Sequence, residues 1–570
     1  MAGAVTKSLA FTWLLALAWP LAGVAQSLDA DWRPRFPPVV DTPFKKVPRP
    51  IIGALRQPLH ELPQNDNFEL IGYHPLPNPG DTIARGRNGP TGISGDCLYV
   101  GNRIGRRTGT GPAFGTPPLP PEVLIVDISN PRKPRPVGAL PTLLNATSRE
   151  LRTIPDARTL IVMNFLDTAP GTGPGTGVEN NYQIYDITDC RRPGLRQTIS
   201  LGIDRPHEFF LWRDPRERSR FLLYSSIHLG DVREPSLRVF ELMAPPDGPI
   251  SPEPVATFTL TPAVPRVQPV EPFEWRDDHF VFDTVKPAVQ RNNVHSMSVS
   301  ADGTRVYVSN IHGGYYVLDS TRLANKEPCI RDTVTVDETS NTNPNLCLRK
   351  LNPDPDARVD FTPPYAWTEH SVYPVPGRPY LVVSGERNGT NTCPWSWGHI
   401  LDISNERRPQ VVSRYMLPEN LEPNCVTGGP GDPSLLREFS PHQQLVFPNL
   451  FFVSWYSGGL RVWDIANPAL PMEVGVYVPR PASRVVERFR DSPDVWMWPH
   501  PILYNGLIYI TDENSGLYVL RYKGPRANEL PRTGLFVSNT NYLAPPPLPP
   551  RPAAPASPRP FNPSEGPLEK

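Results

Sequence analysis

Five of the eleven histidines stand at the head of similar stretches: His207 in PHEFFLW, His295 in VHSMSVS, His370 in EHSVYPV, His442 in PHQQLVF and His500 in PHPILYN. Neutral imidazoles in register suit Cu, Zn, Fe or Ni. Three or four of them complete a ligand set, and an open position next to them permits catalysis. The remaining imidazoles would orient a ligand or touch substrate. The competing reading is a repeat-consensus residue that hydrogen-bonds a neighbouring backbone. Two further copies of the stretch place Pro90 and Arg149 at the same position. Arg149 offers a planar guanidinium for an anionic substrate group, or an ion pair with Glu150 or Glu208. Carboxylates at this level are Glu208, Glu369, Glu386, Asp512 and Glu513. Glu208 and Glu369 adjoin ring histidines and are the candidate catalytic bases. His228 (SSIHLGD) and His312 (SNIHGGY) form a second equivalent pair, while His60, His74, His279 and His399 fall outside the register. The chain contains no GxSxG, no HExxH and no phosphate-cradling glycine loop.

Positioning such a ring requires repeated elements. Each stretch continues as strand, turn, strand, as in VHSMSVSADGTRVYVSN from Val294 to Asn310. A second half follows, clearest in GLRVWDIANPALPMEVGVYV from Gly459 to Val478: an alternating strand closing on Asp464, a Pro-anchored turn and a returning strand. EVLIVDISNPRKPRPVGAL, NYQIYDITDCRRPGLRQTI and GHILDISNERRPQVVSRY repeat it, with weaker copies at Ser236, Gly314 and Gly516. Two halves give four strands per unit, and seven units give an all-β, seven-bladed β-propeller. NFELIGYH, from Asn67 to His74, is a returning strand with no partner before it, and GLYVLRY at Gly516 is a strand with none after it. The sequence therefore predicts closure of the ring by an N-terminal strand pairing into the last blade, which removes open edges. The first strand of a blade is innermost, so the five histidines should line the central channel.

The rest of the chain frames this ring. Residues 1–25 read as a signal peptide, with Lys7, an apolar run from Leu9 to Ala22 and a small-residue cleavage site at Ala25. After cleavage no membrane span is expected, and the protein is predicted to be exported, periplasmic or secreted. Residues 26–66 form a Pro-rich arm, 67–525 the propeller, and 526–570 a Pro-rich disordered tail. Long insertions fall near residues 104–121, 166–180, 262–290 and 327–366. The 57 basic and 57 acidic residues cancel, which argues against a nucleic-acid partner. Six cysteines in an exported chain favour disulfides: Cys329 with Cys347, Cys393 with Cys425, and Cys97 with Cys190.

The VLIVDISNP run at Val123 to Pro131, with VWDIANPALPMEVG and HILDISNERRPQVV, resembles the LVIVD-repeat family of exported propellers. The resemblance implies a fold and leaves activity open. The His-initiated front halves and SNIHGGYYVLDS also look like the selenium-binding protein / methanethiol oxidase family. That resemblance implies copper-dependent thiol oxidation in the periplasm, although the chain has no obvious match to that family's Cys-containing selenium motif.

These readings converge on an exported propeller holding one transition metal near its axis. Copper is implied by resemblance, with iron or zinc as alternatives. The metal would oxidise a small molecule, a thiol among the candidates, with O2 as acceptor. A non-catalytic scaffold with protein partners at its Pro-rich termini is the second reading, and a metal-dependent hydrolase or lyase the third.

Overall fold

A computed structural model describes residues 50–52, 64–76, 87–103, 122–141, 146–166, 180–202, 204–227, 237–243, 251–258, 267–269, 273–276, 279–282, 285–287, 294–310, 314–329, 347–351, 369–386, 395–420, 438–482 and 494–541. Seven antiparallel sheets, each built on four strands, form the propeller. Blades 1 to 7 begin with strands Arg87–Ser94, Ala146–Ile154, Pro206–Arg213, Val294–Val299, Glu369–Pro374, Gln444–Val446 and Ile502–Tyr504. In blades 1 to 6 the second, third and fourth strands follow in chain order, so each is a meander, and hydrophobic faces pack on neighbouring blades.

The motif that repeats in the sequence is a turn with a physical cause. The third strand ends on an aspartate whose Oδ1 accepts the backbone N–H two residues on: Asp127 from Ser129 (3.0 Å), Asp186 from Thr188 (2.7 Å), Asp402 from Ser404 (2.7 Å) and Asp464 from Ala466 (2.8 Å). Three residues later Asn130, Asp189, Asn405 and Asn467 repeat the contact. Two successive side-chain-capped turns reverse the chain into the fourth strand. Between them the isoleucine N–H bonds back to the preceding hairpin, as Ile128 does to Asp96 O (2.8 Å) and Ile465 to Asn449 O (2.8 Å).

Closure is as the sequence predicts. Phe68–His74 forms the fourth strand of blade 7, pairing antiparallel with Gly516–Tyr522. The preceding chain extends the theme. Gln64–Asp66 adds a fifth strand to blade 6 and Pro50–Ile52, in parallel, a fifth to blade 5. Parts of the expected arm thus cover two outer edges, because an exposed fourth strand offers unpaired N–H and C=O groups to any extended segment nearby.

Of the expected tail, residues 526–541 are described, and they stay on the ring. Leu535–Phe536 pairs with Tyr504 and Leu503 on the inner side of blade 7. Thr540 then bridges in parallel to Leu211 of blade 3, and Leu211 N–H donates to Asn539 O (3.0 Å). The segment rises beside one blade and descends beside another, with Ser538 and Asn539 at its tip. Residues 1–49 and 542–570, which include the signal peptide and most of the Pro-rich ends, lie outside the described residues.

In the insertion between blades 3 and 4, Val267–Pro269 pairs with Val285–Pro287, and Phe273–Arg276 with His279–Phe282. Disulfides join Cys97 to Cys190, linking blades 1 and 2, and Cys329 to Cys347. Cys393 and Cys425 lie outside the described residues. Among the described residues no helix is long and apolar enough to cross a membrane.

Candidate metal centre

The ring position is built by an interruption in the innermost strand. In blades 2 to 5 the pairing of the first two strands slips between Ser148 and Glu150, Pro206 and Phe209, Val294 and Ser296, and Glu369 and Ser371. Arg149, His207, His295 and His370 occupy those slips. Irregular pairing of this kind re-aims a side chain that regular alternation would send into the blade. In blades 6 and 7, His442 and His500 lie just before the regular strand. Hydroxyls of the adjoining blade hold these backbones: Ser226 Oγ donates to His295 O (3.0 Å), Ser309 to His370 O (2.6 Å) and Ser371 to His442 O (2.8 Å).

Four imidazoles meet. Ring centroids are 4.2 Å apart for His207 and His295, 4.0 Å for His295 and His370, and 3.9 Å for His370 and His442. His207 Nε2 lies 2.8 Å from His295 Nε2. Two carboxylates enter the same cluster. Glu208 Oε1 is 3.6 Å from His370 Nε2 and 3.8 Å from His295 Nδ1. Glu386 is 3.4 Å from both His370 Nε2 and His442 Nε2. Potential ligand atoms lie within 4.8 Å of one another in three overlapping groups: His207, Glu208, His295; Glu208, His370, His442; and His295, His370, Glu386. All six residues are buried.

The donor set fits a cation. Neither ring nitrogen of His370 has a hydrogen-bond partner, nor does Glu208 Oε2. Leaving a buried polar group unpaired costs about 1–3 kcal/mol, and a metal ion would satisfy one nitrogen of His370 together with the Glu208 carboxylate. Burial pushes the His370 pKa down to about 4, so its lone pairs are available at neutral pH. Burial, with the charge of Glu150 beside it, pushes the Glu208 carboxyl up to about 8. Gln443 Nε2 donates to its Oε1 (2.6 Å).

The remaining predicted residues separate. His500 sits on a different network: its Nδ1 lies 3.1 Å from Ser538 Oγ, its Nε2 accepts from Asn539 Nδ2 (3.0 Å), and Glu150 Oε2 is 3.5 Å away. Burial lowers its pKa. Burial also favours a neutral Glu150, but His500 and Arg152 outweigh it and hold that carboxyl below its ordinary range. Arg149 reaches the cluster, with Nη1 2.5 Å from His207 Nε2 and Nη2 3.7 Å from Glu208 Oε1. Glu369 faces away from the imidazoles, toward His399 Nδ1 at 3.7 Å, because it precedes the slip and keeps the regular alternation. Burial raises its pKa to about 8 against the opposing charge of Arg414. Asp512 caps the turn of blade 7 through the N–H groups of Asn514 (2.9 Å) and Ser515 (2.7 Å). His228 and His312 lie outside the described residues.

Side chains that sequence reasoning did not assign complete the surroundings. Tyr456 donates to Glu386 Oε1, and its ring packs on Trp496 with centroids 4.8 Å apart. Trp498 lies between His442 (5.5 Å) and the Arg149 guanidinium (5.3 Å). Their only sequence signal was proximity to a ring histidine or to the end of a second strand.

Residues 122–142 and 449–478 match the LVIVD repeat family. Comparison with curated protein sequences finds no match. Among solved structures, Sqt1 from Saccharomyces cerevisiae is 10% identical over 81% of this chain and 100% of that one, with a TM-score of 0.42. A protein from Lactobacillus plantarum is 12% identical over 68% of this chain and 85% of that one, with a TM-score of 0.37. The resemblance to the selenium-binding protein / methanethiol oxidase family is not supported by these findings, whereas that to the LVIVD repeat is.

Proposed function

We propose that this propeller is a metal-dependent oxidoreductase acting on a small molecule, with the metal held among His207, His295, His370, His442, Glu208 and Glu386. The observation that carries the reading is the three overlapping groups of two imidazoles and one carboxylate, all buried and with ligand atoms within 4.8 Å of one another in each group. Two histidines with one carboxylate and open positions is the donor set of non-haem Fe(II) oxygenases, while imidazoles also suit copper. The carboxylates favour iron, and copper remains the alternative drawn from the sequence. The bound metal would supply one-electron steps that the side chains cannot perform.

The chain's own residues supply the rest. Neutral His370 donates a lone pair without first losing a proton. Glu208 holds a proton near neutral pH and releases it when its carboxylate ligates. Arg149, facing the cluster, would pair with an anionic group on the substrate. Tyr456, Trp496 and Trp498 wall the His442 side with rings that exclude water. Two electrons and two protons would leave the substrate, a thiol pair being one candidate, and pass to O2 to give hydrogen peroxide. Export through residues 1–25 and a protein partner at the Pro-rich ends belong to the same proposal.

Elemental analysis of untagged protein from its native compartment tests this. About one equivalent of iron or copper, with O2 uptake on addition of small reductants, supports it. Zinc would redirect the reading to hydrolysis. Protein that holds no metal and takes up none would leave a binding scaffold.

A further inference from the structure

We propose that Asn539, from the segment beyond the seventh blade, is a positioning residue of the metal centre. This rests on the reading of the four-imidazole cluster as that centre. Val537, Ser538, Asn539, Thr540 and Asn541 are all buried, although sequence pattern places them outside the repeats. The segment is anchored on both sides. Leu535 and Phe536 pair with blade 7. On blade 3, Asn541 Oδ1 accepts from Arg213 N–H (2.8 Å) and Asn541 Nδ2 donates to Arg213 O (2.7 Å).

The tip touches two networks at once. Asn539 Nδ2 donates to His500 Nε2 (3.0 Å), while Ser538 Oγ holds Nδ1 (3.1 Å). Both ring nitrogens of His500 are thereby engaged, which keeps this fifth imidazole out of the cluster. Asn539 Oδ1 accepts from the Tyr373 hydroxyl. Gln443 Oε1 is a second acceptor of the same hydroxyl proton (2.8 Å), which the two carbonyl oxygens share, and Gln443 Nε2 donates to Glu208 Oε1 (2.6 Å). A continuous path of four side chains therefore runs from the tip to a candidate ligand. Asn539 fixes the rotamer of Tyr373, Tyr373 orients the Gln443 amide, and the amide presents one oxygen of Glu208 while leaving the other free of hydrogen bonds. Outer partners of this kind set ligand orientation.

The test uses the full chain, Co2+ as the probe, and three variants. Asn539→Ala removes both contacts. Tyr373→Phe removes the hydroxyl that links the tip to Gln443 and keeps the ring, and it carries the test if the alanine variant does not fold. Asn541→Ala loosens the same segment on blade 3 without touching the site. Asn539→Ala is expected to weaken Co2+ binding roughly 10–100-fold and to shift the visible absorption bands of bound Co2+, while Asn541→Ala leaves both unchanged. Wild-type binding with unchanged affinity and bands in both Asn539→Ala and Tyr373→Phe would overturn this inference alone. Equal weakening by Asn541→Ala would overturn it too, since the segment would then act only through packing. Wild-type protein that takes up no metal would refute the metal centre itself, and this inference with it.

Discussion

Metal uptake should be coupled to one proton, and Glu208 should be its source. The buried carboxyl titrates at about 8, whereas His370 titrates at about 4 and is already neutral across the working range. Ligation needs the carboxylate, so below pH 8 each bound metal must expel a proton from Glu208. Affinity then rises about tenfold per pH unit at first and levels off above pH 8. Between pH 6 and pH 8 the ionised fraction climbs from about one in a hundred to one half, so binding should tighten about 50-fold. Competition of Zn2+ or Co2+ between the protein and a chelator of known pH dependence measures this directly. Glu208→Gln isolates the group, since it removes the proton and retains the shape. The variant should bind more weakly at pH 8 and lose one proton's worth of slope. A wild-type affinity that is flat between pH 6 and 8, or a slope that survives in Glu208→Gln, would refute the assignment.

Three further outcomes follow from the same geometry. His295→Ala with His370→Ala should abolish metal binding and leave the circular dichroism spectrum of a folded propeller, because blade pairing uses backbone groups; loss of folding would instead mark these imidazoles as structural. Glu369 keeps its proton up to about pH 8, whereas the unfolded chain releases it near the ordinary 4.5. Unfolding therefore releases a proton in that window, and this group makes stability fall as pH rises through it. Glu369→Gln should remove that decline, gaining on the wild type by up to about 1.4 kcal/mol per pH unit in denaturant titrations between pH 5 and 8; parallel curves would contradict it. Gly516 has φ +109°, and a Cβ there would stand 2.3 Å from His74 O across the closing strand pair. Gly516→Ala should cost roughly 2–4 kcal/mol in equilibrium unfolding, and an unchanged midpoint would show that the closing pair does not limit stability.

The ring was legible because each repeat writes its turn twice, as an aspartate after the third strand and an asparagine or aspartate three residues later. Both act locally, so they leave a regular imprint. The head of the first strand was legible for the same reason, and it put His207, His295, His370 and His442 at one level. What failed to show was side-chain direction. Glu369 and His370 are neighbours in sequence, but the slip in pairing falls after Glu369 and turns them to different surroundings. His500 occupies the repeat position yet answers to Ser538 and Asn539, residues with no periodicity. Glu386 could be placed at the right level as one carboxylate among several, and only packing singles it out. Contacts that the tip of a non-repeating segment makes across a channel leave no local signature.

Ring closure by Phe68–His74 has a consequence for the order of events during folding. The ion pair between Glu69 and Arg521 spans 452 positions, so the seventh blade cannot be completed until nearly the whole propeller has been synthesised. At equilibrium this separation matters little: closing a loop nine times longer costs only about 2 kcal/mol more. Kinetically it matters more, since pairings this distant form late. Six blades can assemble as a growing arc while the early strand waits unpaired, and the last contact converts the arc into a ring. A circular permutant that joins the seventh blade in one continuous stretch and opens the chain between two others should reach the same final structure by a different schedule, with the waiting strand transferred to another blade.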